Sequence, residues 1–432
     1  MNYKDYFKDR NIAIIGLGPH GEMIADIKFL LKNKARLSLY DIRSEERLKK
    51  HILSLSVGGL QKFSFGKIPD DELLMYDLII LSPEISKRST FLKKALENGI
   101  QIEYPDTIFF KLAPPIILVG IIGVSGKSTV AHLIYGMLKR SFLSHDNQGL
   151  FLIDSDSTNG ALNHLKKIKK DDLVLARIPE NMADLYHDIR ISPHVAVITS
   201  PTSYEILEYQ TQNNFIVAHD RIVDSFKNTI NFTPRAKILR TRASSVPNDW
   251  EIDKKGIHMI ENAALALQTS ELFKVPRDIA KDIIQNFLGL RGHIEFVKKI
   301  SNVDYYNDAS SNSPLSTLSA LKTLSNNKNI VLIFGGAYTG HDYDHLLINL
   351  SQYAKALILI SGSGSIGIRD KINQMDDIES LHVLNLEQAV IKAKEIASKG
   401  DIVLFSPGFD AVGVDVSRKE RGERFVKAVR NL

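Results

Sequence analysis

A chain of 432 residues with 44% hydrophobic and 24% charged side chains is long enough for two or three domains that each bury a core. Its 55 basic and 50 acidic residues leave a formal charge of +5 spread along the chain, which argues against nucleic-acid binding. The cluster Lys166, Lys167, Lys169 and Lys170 is answered at once by Asp171 and Asp172 and reads as a solvated helix face, with a phosphate patch the competing explanation. The absence of cysteine removes disulfides, thiolate zinc sites and cysteine nucleophiles together. The longest apolar stretch, Ile116 to Val124, falls far short of the ~20 residues that cross a membrane, so a soluble cytoplasmic protein is expected.

The first segment alternates strand-like and helix-like blocks. NIAIIGLG (11–18) reads as a buried strand running into a glycine turn, with further strands at ARLSLYD (35–41) and YDLIILSP (76–83). Such alternation implies parallel strands joined by crossover helices. GLGPHG (16–21) spells a complete G-x-G-x-x-G, and Asp41 lies 20 residues past Gly21 at the end of the second strand. That is the dinucleotide pattern, in which the acidic residue takes ribose hydroxyls. Pro19 and His20 stand where a helix should begin tightly over a pyrophosphate, which suits the turn to another nucleotide-like ligand. Ser82 and Pro83, at the end of the third strand, would face the same crevice. Plain sheet topology is the competing explanation.

Leu112-Ala113-Pro114-Pro115 interrupts the pattern, and a domain boundary is expected near 114. A new strand, IILVGIIG, then leads into Gly123-Val124-Ser125-Gly126-Lys127-Ser128-Thr129 and the helical stretch 128–140. A strand, a glycine loop and a lysine at the mouth of a helix would aim backbone N–H groups and the helix dipole at a phosphate. Lys127 would neutralise the outer phosphates, with Ser128 or Thr129 free to reach Mg2+. The longer G-x-x-x-x-G-K-[ST] pattern wants a glycine where Ile121 stands; a strand-turn-helix with a chance Gly-Lys is the bland alternative.

Strands are expected near FLID (151–154), DLVLARI (172–178) and HVAVITS (194–200), followed by a helix over 259–273. His258 and Asn262, one helical turn apart, suit either a base-contacting pair or a satisfied helix N-terminus. From GLRGHIEFV (289–297) the α/β alternation resumes with NIVLIFGG, KALILISGSG, the helix 386–400, DIVLFSPG and a C-terminal helix. In YYNDASSNSP (305–314), Asn307 and Asp308 could hold a ribose or a metal, or could form an Asx turn capping the next helix. FSPGFDAVGVD reads as a site rim or as an ordinary α/β loop.

This order of motifs, from the glycine turn through G-x-x-G-K-S-T, the H-x-x-x-N helix, G-L-x-x-x-x-E-F-V, N-D and S-P-G before R-G-x-x-F, resembles the Mur ligase family over essentially the whole chain. The short cradle is that family's normal form. The resemblance implies an α/β protein of three domains. These are a Rossmann-like UDP-substrate-binding domain at 1–114, a P-loop-type ATPase-like central domain at 115–288 and a Rossmann-like amino-acid-binding domain at 289–432. It further implies an ATP-dependent amide ligase of peptidoglycan synthesis, with ATP and Mg2+ as cofactors and a UDP-linked muramoyl substrate and D-glutamate as partners. The substrate carboxylate would take the γ-phosphoryl group to give an acyl phosphate, which the amine attacks.

By that resemblance Gly123, Val124, Ser125, Gly126, Lys127, Ser128 and Thr129 hold ATP, with Ser128 and Thr129 at the metal and Asn262 and Asp308 at the nucleoside. Gly18, Pro19, His20, Asp41, Arg43, Ser82 and Pro83 take the UDP end of the substrate. Lys127 and His219 are the catalytic candidates, His219 aligning with a lysine that the family carbamylates to brace a second magnesium. Other family positions are also substituted. Ala176, followed by Arg177, aligns with a magnesium-binding glutamate, and Pro201 to Ser203 with an acidic residue and a histidine. His293 aligns with an arginine, and Ser310 and Thr339 with lysines. Two readings stay open: a divergent active ligase, and a non-catalytic relative that binds ATP or a UDP-sugar as a regulatory partner. A nicotinamide-dependent oxidoreductase, resting on GLGPHG, leaves Lys127 without a task. A monomer with no nucleic-acid or membrane partner is expected.

Overall fold

The computed structural model describes residues 2–18, 21–55, 59–123, 125–142, 149–154, 159–178, 182, 186–187, 189–202, 204–250, 252, 257–287, 289–325, 327–337, 342–375, 378–409 and 418–432. They build three open sheets. In the first, β1 (Asn11–Ile15), β2 (Arg36–Asp41), β3 (Leu60–Phe65), β4 (Leu78–Leu81) and β5 (Gln101–Glu103) are ordered β3-β2-β1-β4-β5 and run parallel. The order reverses between β1 and β4, so the loops leaving these strands diverge above the sheet, where an open α/β sheet leaves room for a ligand.

The second sheet contains β6 (Ile117–Ile122), β7 (Leu150–Asp154), β8 (Leu173–Arg177), β9 (Val195–Ile198), β10 (Phe215–His219) and β11 (Lys237–Thr241), in the order β11-β10-β9-β6-β8-β7, again all parallel. The sequence ILVGII of β6 has no polar side chain, as a strand hydrogen-bonded on both edges and covered on both faces requires. The helix Lys127–Phe142 follows β6 and packs back over β6, β7 and β8.

These two sheets belong to one compact unit, Met1–Trp250 with Glu261–Ile284. One continuous core runs through it, from Ile14 and Ile80 of the first sheet, through Phe109 and Leu162, to Ala176 and Ile198 of the second. Full burial of such a side chain contributes ~1.5–3 kcal/mol.

The second unit, Glu251–Ile260 with Gln285–Leu432, holds the third sheet. Its strands are β12 (Glu295–Ile300), β13 (Val303–Asn307), β14 (Ile330–Phe334), β15 (Ala354–Ile360), β16 (Glu379–Val383) and β17 (Ile402–Phe405), in the order β12-β13-β17-β14-β15-β16. Only the β12–β13 pair among these is antiparallel. Successive residues of β14 feed opposite cores: Leu332 and Phe334 pack with Leu318 and Leu346, whereas Val331 and Ile333 pack with Val390 and Phe425. That is the period of two that a strand imposes.

The α/β class read from the sequence holds. Strands β3, β5, β10, β11, β12 and β16 were not expected. β3 (LQKFSF), β11 (KILRT) and β16 (ESLHV) are edge strands whose partial exposure admits charged and polar residues, and this erases the apolar signal. The lysine cluster is not on a regular helix face. Lys166 ends a short 3-10 helix with its ammonium 5.1 Å from the centroid of the Phe29 ring, and Lys169 lies in the following turn. No helix among the described residues is long and apolar enough to cross a membrane.

Candidate functional site

Gly123 closes β6 with φ +132, and Gly126 precedes the helix with φ +82; both values favour glycine. A Cβ at Gly123 would lie 2.8 Å from the Ser200 backbone nitrogen, and one at Gly126 would lie 2.7 Å from Asn262 Oδ1. The loop is thus backed by the end of β9 and by the helix Ile257–Leu272. Thr199 Oγ1 donates to the Ser125 carbonyl at 2.5 Å, and the Ser125 N–H donates to Ser200 Oγ at 3.1 Å. Lys127 Nζ folds back to donate to the Gly123 carbonyl. Ser125 is exposed, and Gly126, Lys127, Ser128 and Thr129 are half-buried at the first turn of the helix. Gly123, Ser125, Gly126, Lys127, Ser128, Thr129 and Asn262 therefore come together; Val124 lies outside the described residues, as does the side chain of His258. Thr199 and Ser200 were missed by sequence reasoning, because a Thr-Ser pair ending a strand carries no motif until β9 is known to adjoin β6.

His219 ends β10 on the same rim. It is 4% exposed, and its Nδ1 meets Thr241 Oγ1 at 2.9 Å. Its Nε2 has no hydrogen-bond partner among the described residues. Burial pushes the imidazole below its ordinary pKa, against the opposing pull of the Thr241 carbonyl and the Glu261 carboxylate, so the ring is neutral at pH 7. Arg177 ends β8 and pairs with Asp154 at the end of β7 at 3.0 Å, both almost buried.

A nucleoside triphosphate suits this cradle of helix N–H groups, lysine and small hydroxyls. A magnesium ion carried on its phosphates suits the hydroxyls of Ser128 and Thr129. A metal held by protein carboxylates does not fit: among the described residues no three His, Cys, Asp or Glu side chains converge, and the neighbouring strand ends carry a guanidinium and a neutral imidazole.

At the reversal point of the first sheet, Gly16 and Gly18 adopt φ +84 and +80. A Cβ at Gly16 would lie 2.9 Å from Ser82 Cβ, so the two diverging loops meet closely there. Asp41, 1% exposed, accepts from the Leu17 N–H at 2.9 Å, the Arg43 N–H at 2.9 Å and the Arg43 guanidinium at 2.8 and 2.6 Å. Burial alone would raise its carboxyl, but the Arg43 hydrogen bonds outweigh this and hold it below the usual range. Both Asp41 oxygens are thus engaged within the fold, where the dinucleotide pattern expected them to face a ribose. Ser82 is fully buried and donates to Glu84. Pro83 lines a small cavity with Glu22, Met23, Asp26, Pro105, Asp106, Asp154, Gly160 and Ala161. Gly18, Asp41, Arg43, Ser82 and Pro83 gather on this rim, while Pro19 and His20 lie outside the described residues.

Asp308 belongs to the second unit, where it follows β13 and is 4% exposed. Its Oδ1 accepts from the Ile294 N–H at 3.1 Å, and its Oδ2 from the hydroxyls of Ser406, at 2.7 Å, and Ser311. Burial dominates and raises its carboxyl to about 7. Asp308 ties the chain entering β12 to the ends of β13 and β17. The capping role weighed for this stretch falls to Ser313, which accepts from the Ser316 N–H of the helix Pro314–Leu324. Thr339 and the residues of FSPGFDAVGVD beyond Phe409 lie outside the described set.

The Mur ligase MurD-like N-terminal domain matches residues 10–103, and the Mur ligase glutamate ligase domain matches residues 292–409. The UDP-N-acetylmuramoylalanine–D-glutamate ligase of Roseiflexus sp. (strain RS-1) is 26% identical over 473 aligned positions, spanning 98% of this chain and 99% of that protein. Among solved structures, the UDP-N-acetylmuramate-alanine ligase MurC of Thermotoga maritima superposes with a TM-score of 0.56 at 16% identity, covering 98% of this chain and 99% of that one. The MurF ligase of Thermotoga maritima, solved in complex with ADP, gives 0.56 at 15% identity, covering 92% and 95%. At such identities the two structures speak to the three-domain α/β fold alone.

Proposed function

We infer that this chain, which belongs to the Mur ligase family, is an ATP-dependent ligase of peptidoglycan precursor synthesis that adds D-glutamate to UDP-N-acetylmuramoyl-L-alanine. The observation that carries the reading is the glycine loop between β6 and the helix Lys127–Phe142, backed by Thr199, Ser200 and Asn262. In the reaction, a carboxylate oxygen of the substrate attacks the γ-phosphorus of ATP, the bond to the ADP oxygen breaks, and an acyl phosphate forms. The amine of D-glutamate then adds to the acyl carbon, loses a proton and expels inorganic phosphate, leaving the amide.

Transfer of this kind needs chiefly positioning and charge neutralisation. On this reading the loop N–H groups and the helix dipole seat the phosphates, and Lys127 exchanges its Gly123 carbonyl for the charge that develops on the departing ADP. Asn262, against the loop at Gly126, positions the nucleoside. His219, neutral and tethered at Nδ1, offers Nε2 to a proton donor of the bound substrate rather than a positive charge. Mg2+ bound with the nucleotide would supply further neutralisation at the hydroxyls of Ser128 and Thr129. The three domains proposed at 1–114, 115–288 and 289–432 would divide the UDP-substrate, ATP and amino-acid binding.

A binding-only relative is the second reading, favoured by the lack of a converging metal-ligand set among the described residues. The experiment is ADP release measured with each substrate and with both. Release that needs the UDP-muramoyl substrate and D-glutamate together supports the ligase. Thermal protection by ATP with no turnover from any pair supports the binding protein. Lys127→Ala is expected to abolish ATP protection and to lower turnover at least about a hundredfold.

A further inference from the structure

We propose that Arg177 is a phosphate-recognising residue of the nucleotide site, and that Asp154 is the counter-ion that holds its guanidinium until the outer phosphates of the nucleotide take it over. The inference rests on the reading that the cradle binds ATP.

Arg177 is in register with Ile121 of β6 on one side and with Asp154 of β7 on the other. The Ile178 N–H donates to the Ile121 carbonyl at 3.0 Å, so β8 stays hydrogen-bonded to the cradle strand to within two residues of Gly123. Strand alternation fixes the face. Val174 and Ala176 join the core shared with the first sheet, so Leu173, Leu175 and Arg177 point to the opposite face. The helix Lys127–Phe142, which packs on β8, has its buried residues Val130, Ala131, Leu133 and Ile134 outside that shared core and so covers this opposite face. The first turn of that helix carries Lys127. The Arg177 side chain thus leaves the sheet on the helix side and at the end of β8 where the loop opens.

A strand end buried among apolar residues is a costly place for a permanent charge, and such a charge needs an anion beside it. Here Asp154 is such an anion, with side-chain exposures of 13% for Arg177 and 14% for Asp154. A guanidinium matches a phosphate as well as a carboxylate in geometry, and two charged phosphate oxygens are the stronger partner. The exchange puts a fixed cation on the β8 side of the loop, facing the same phosphates as Lys127.

The test is titration of the full-length chain with ATP and with ADP, in the presence of Mg2+, for wild type, Arg177→Ala, Arg177→Lys and Asp154→Asn, with the unfolding temperature of each recorded. Arg177→Ala should weaken ATP by roughly tenfold to a hundredfold and ADP by less. Arg177→Lys should recover part of the loss. Asp154→Asn should tighten ATP severalfold even though it lowers the unfolding temperature, because it removes the competitor. A merely structural ion pair gives the opposite result for Asp154→Asn: weaker ATP in step with lower stability. That outcome, or unchanged ATP affinity in both Arg177 variants, overturns the proposal. Should Arg177→Ala fail to fold, the opposed signs expected of Arg177→Lys and Asp154→Asn decide alone. Absence of ATP binding to the wild-type chain would remove the nucleotide reading itself and this inference with it, an outcome distinct from ATP binding that ignores Arg177.

Discussion

At the scale of single residues, the site depends on positions where an atom cannot be added. Gly126 combines φ +82 with Asn262 Oδ1 at 2.7 Å from where a Cβ would stand. Gly126→Ala is therefore expected to cost about 1–2 kcal/mol of stability and to weaken ATP at least about tenfold, measured by denaturant titration and by calorimetry. The sequence made this glycine readable because the spacing of Gly123, Gly126 and Lys127 carries its own mechanism. It could not show what leans on the loop: Thr199 and Ser200 lie more than seventy positions away, and only the β6–β9 pairing makes them neighbours. Asp41 illustrates the reverse. Its place at the end of β2 was readable, whereas its capture by Arg43 two residues later depends on a side-chain conformation that no pattern encodes. The Arg177–Asp154 pair was unreadable for the same reason, since both residues look like ordinary strand ends until β7 and β8 are set side by side.

At the scale of elements, most buried strands announced themselves and most edge strands did not, with β10 and β7 the exceptions. β6 and β14 are continuous apolar runs because both of their faces are covered, so their composition alone marks them. β10 (FIVAH) is equally covered and escaped notice even so, although β4 (LIIL) and β9 (VAVI) are no longer and were read. The entrance to β8 shows how such a sheet is held beyond its ladder. Buried Asp172 accepts the Gly149 N–H at 2.7 Å and the Lys169 N–H at 2.7 Å, pinning the starts of β7 and β8 together. Asp172→Ala would leave those two donors without acceptors. We expect a loss of about 2–4 kcal/mol in unfolding free energy, with ATP affinity in the remaining folded protein little changed, since the cradle lies at the opposite end of the strands.

At the scale of the whole molecule, each compact unit carries, among the described residues, one deeply buried carboxyl raised to about 7: Asp26 in the first, where burial outweighs the hydrogen bond from the Leu162 N–H, and Asp308 in the second. A folded carboxyl that keeps its proton to about pH 7, against 3.8 when unfolded, contributes stability that is complete below pH 4 and is lost as pH rises towards 7. The stability of Asp308→Asn relative to wild type should therefore rise between about pH 4 and pH 7, by on the order of a few kcal/mol, and level off above. Asparagine keeps an acceptor for Ile294, so a pH-independent difference would show that the proton is not the cause.

The parallel sheets have a kinetic meaning as well. Val119 must find Val195 and Asp304 must find Ile402 before their ladders exist, while the β12–β13 hairpin is the one pairing of adjacent strands by a tight turn among the described residues. Chains dominated by such distant pairings fold slowly and expose sticky intermediates for longer. The newly made polypeptide is thus most vulnerable to clumping during the interval before its remote segments arrive.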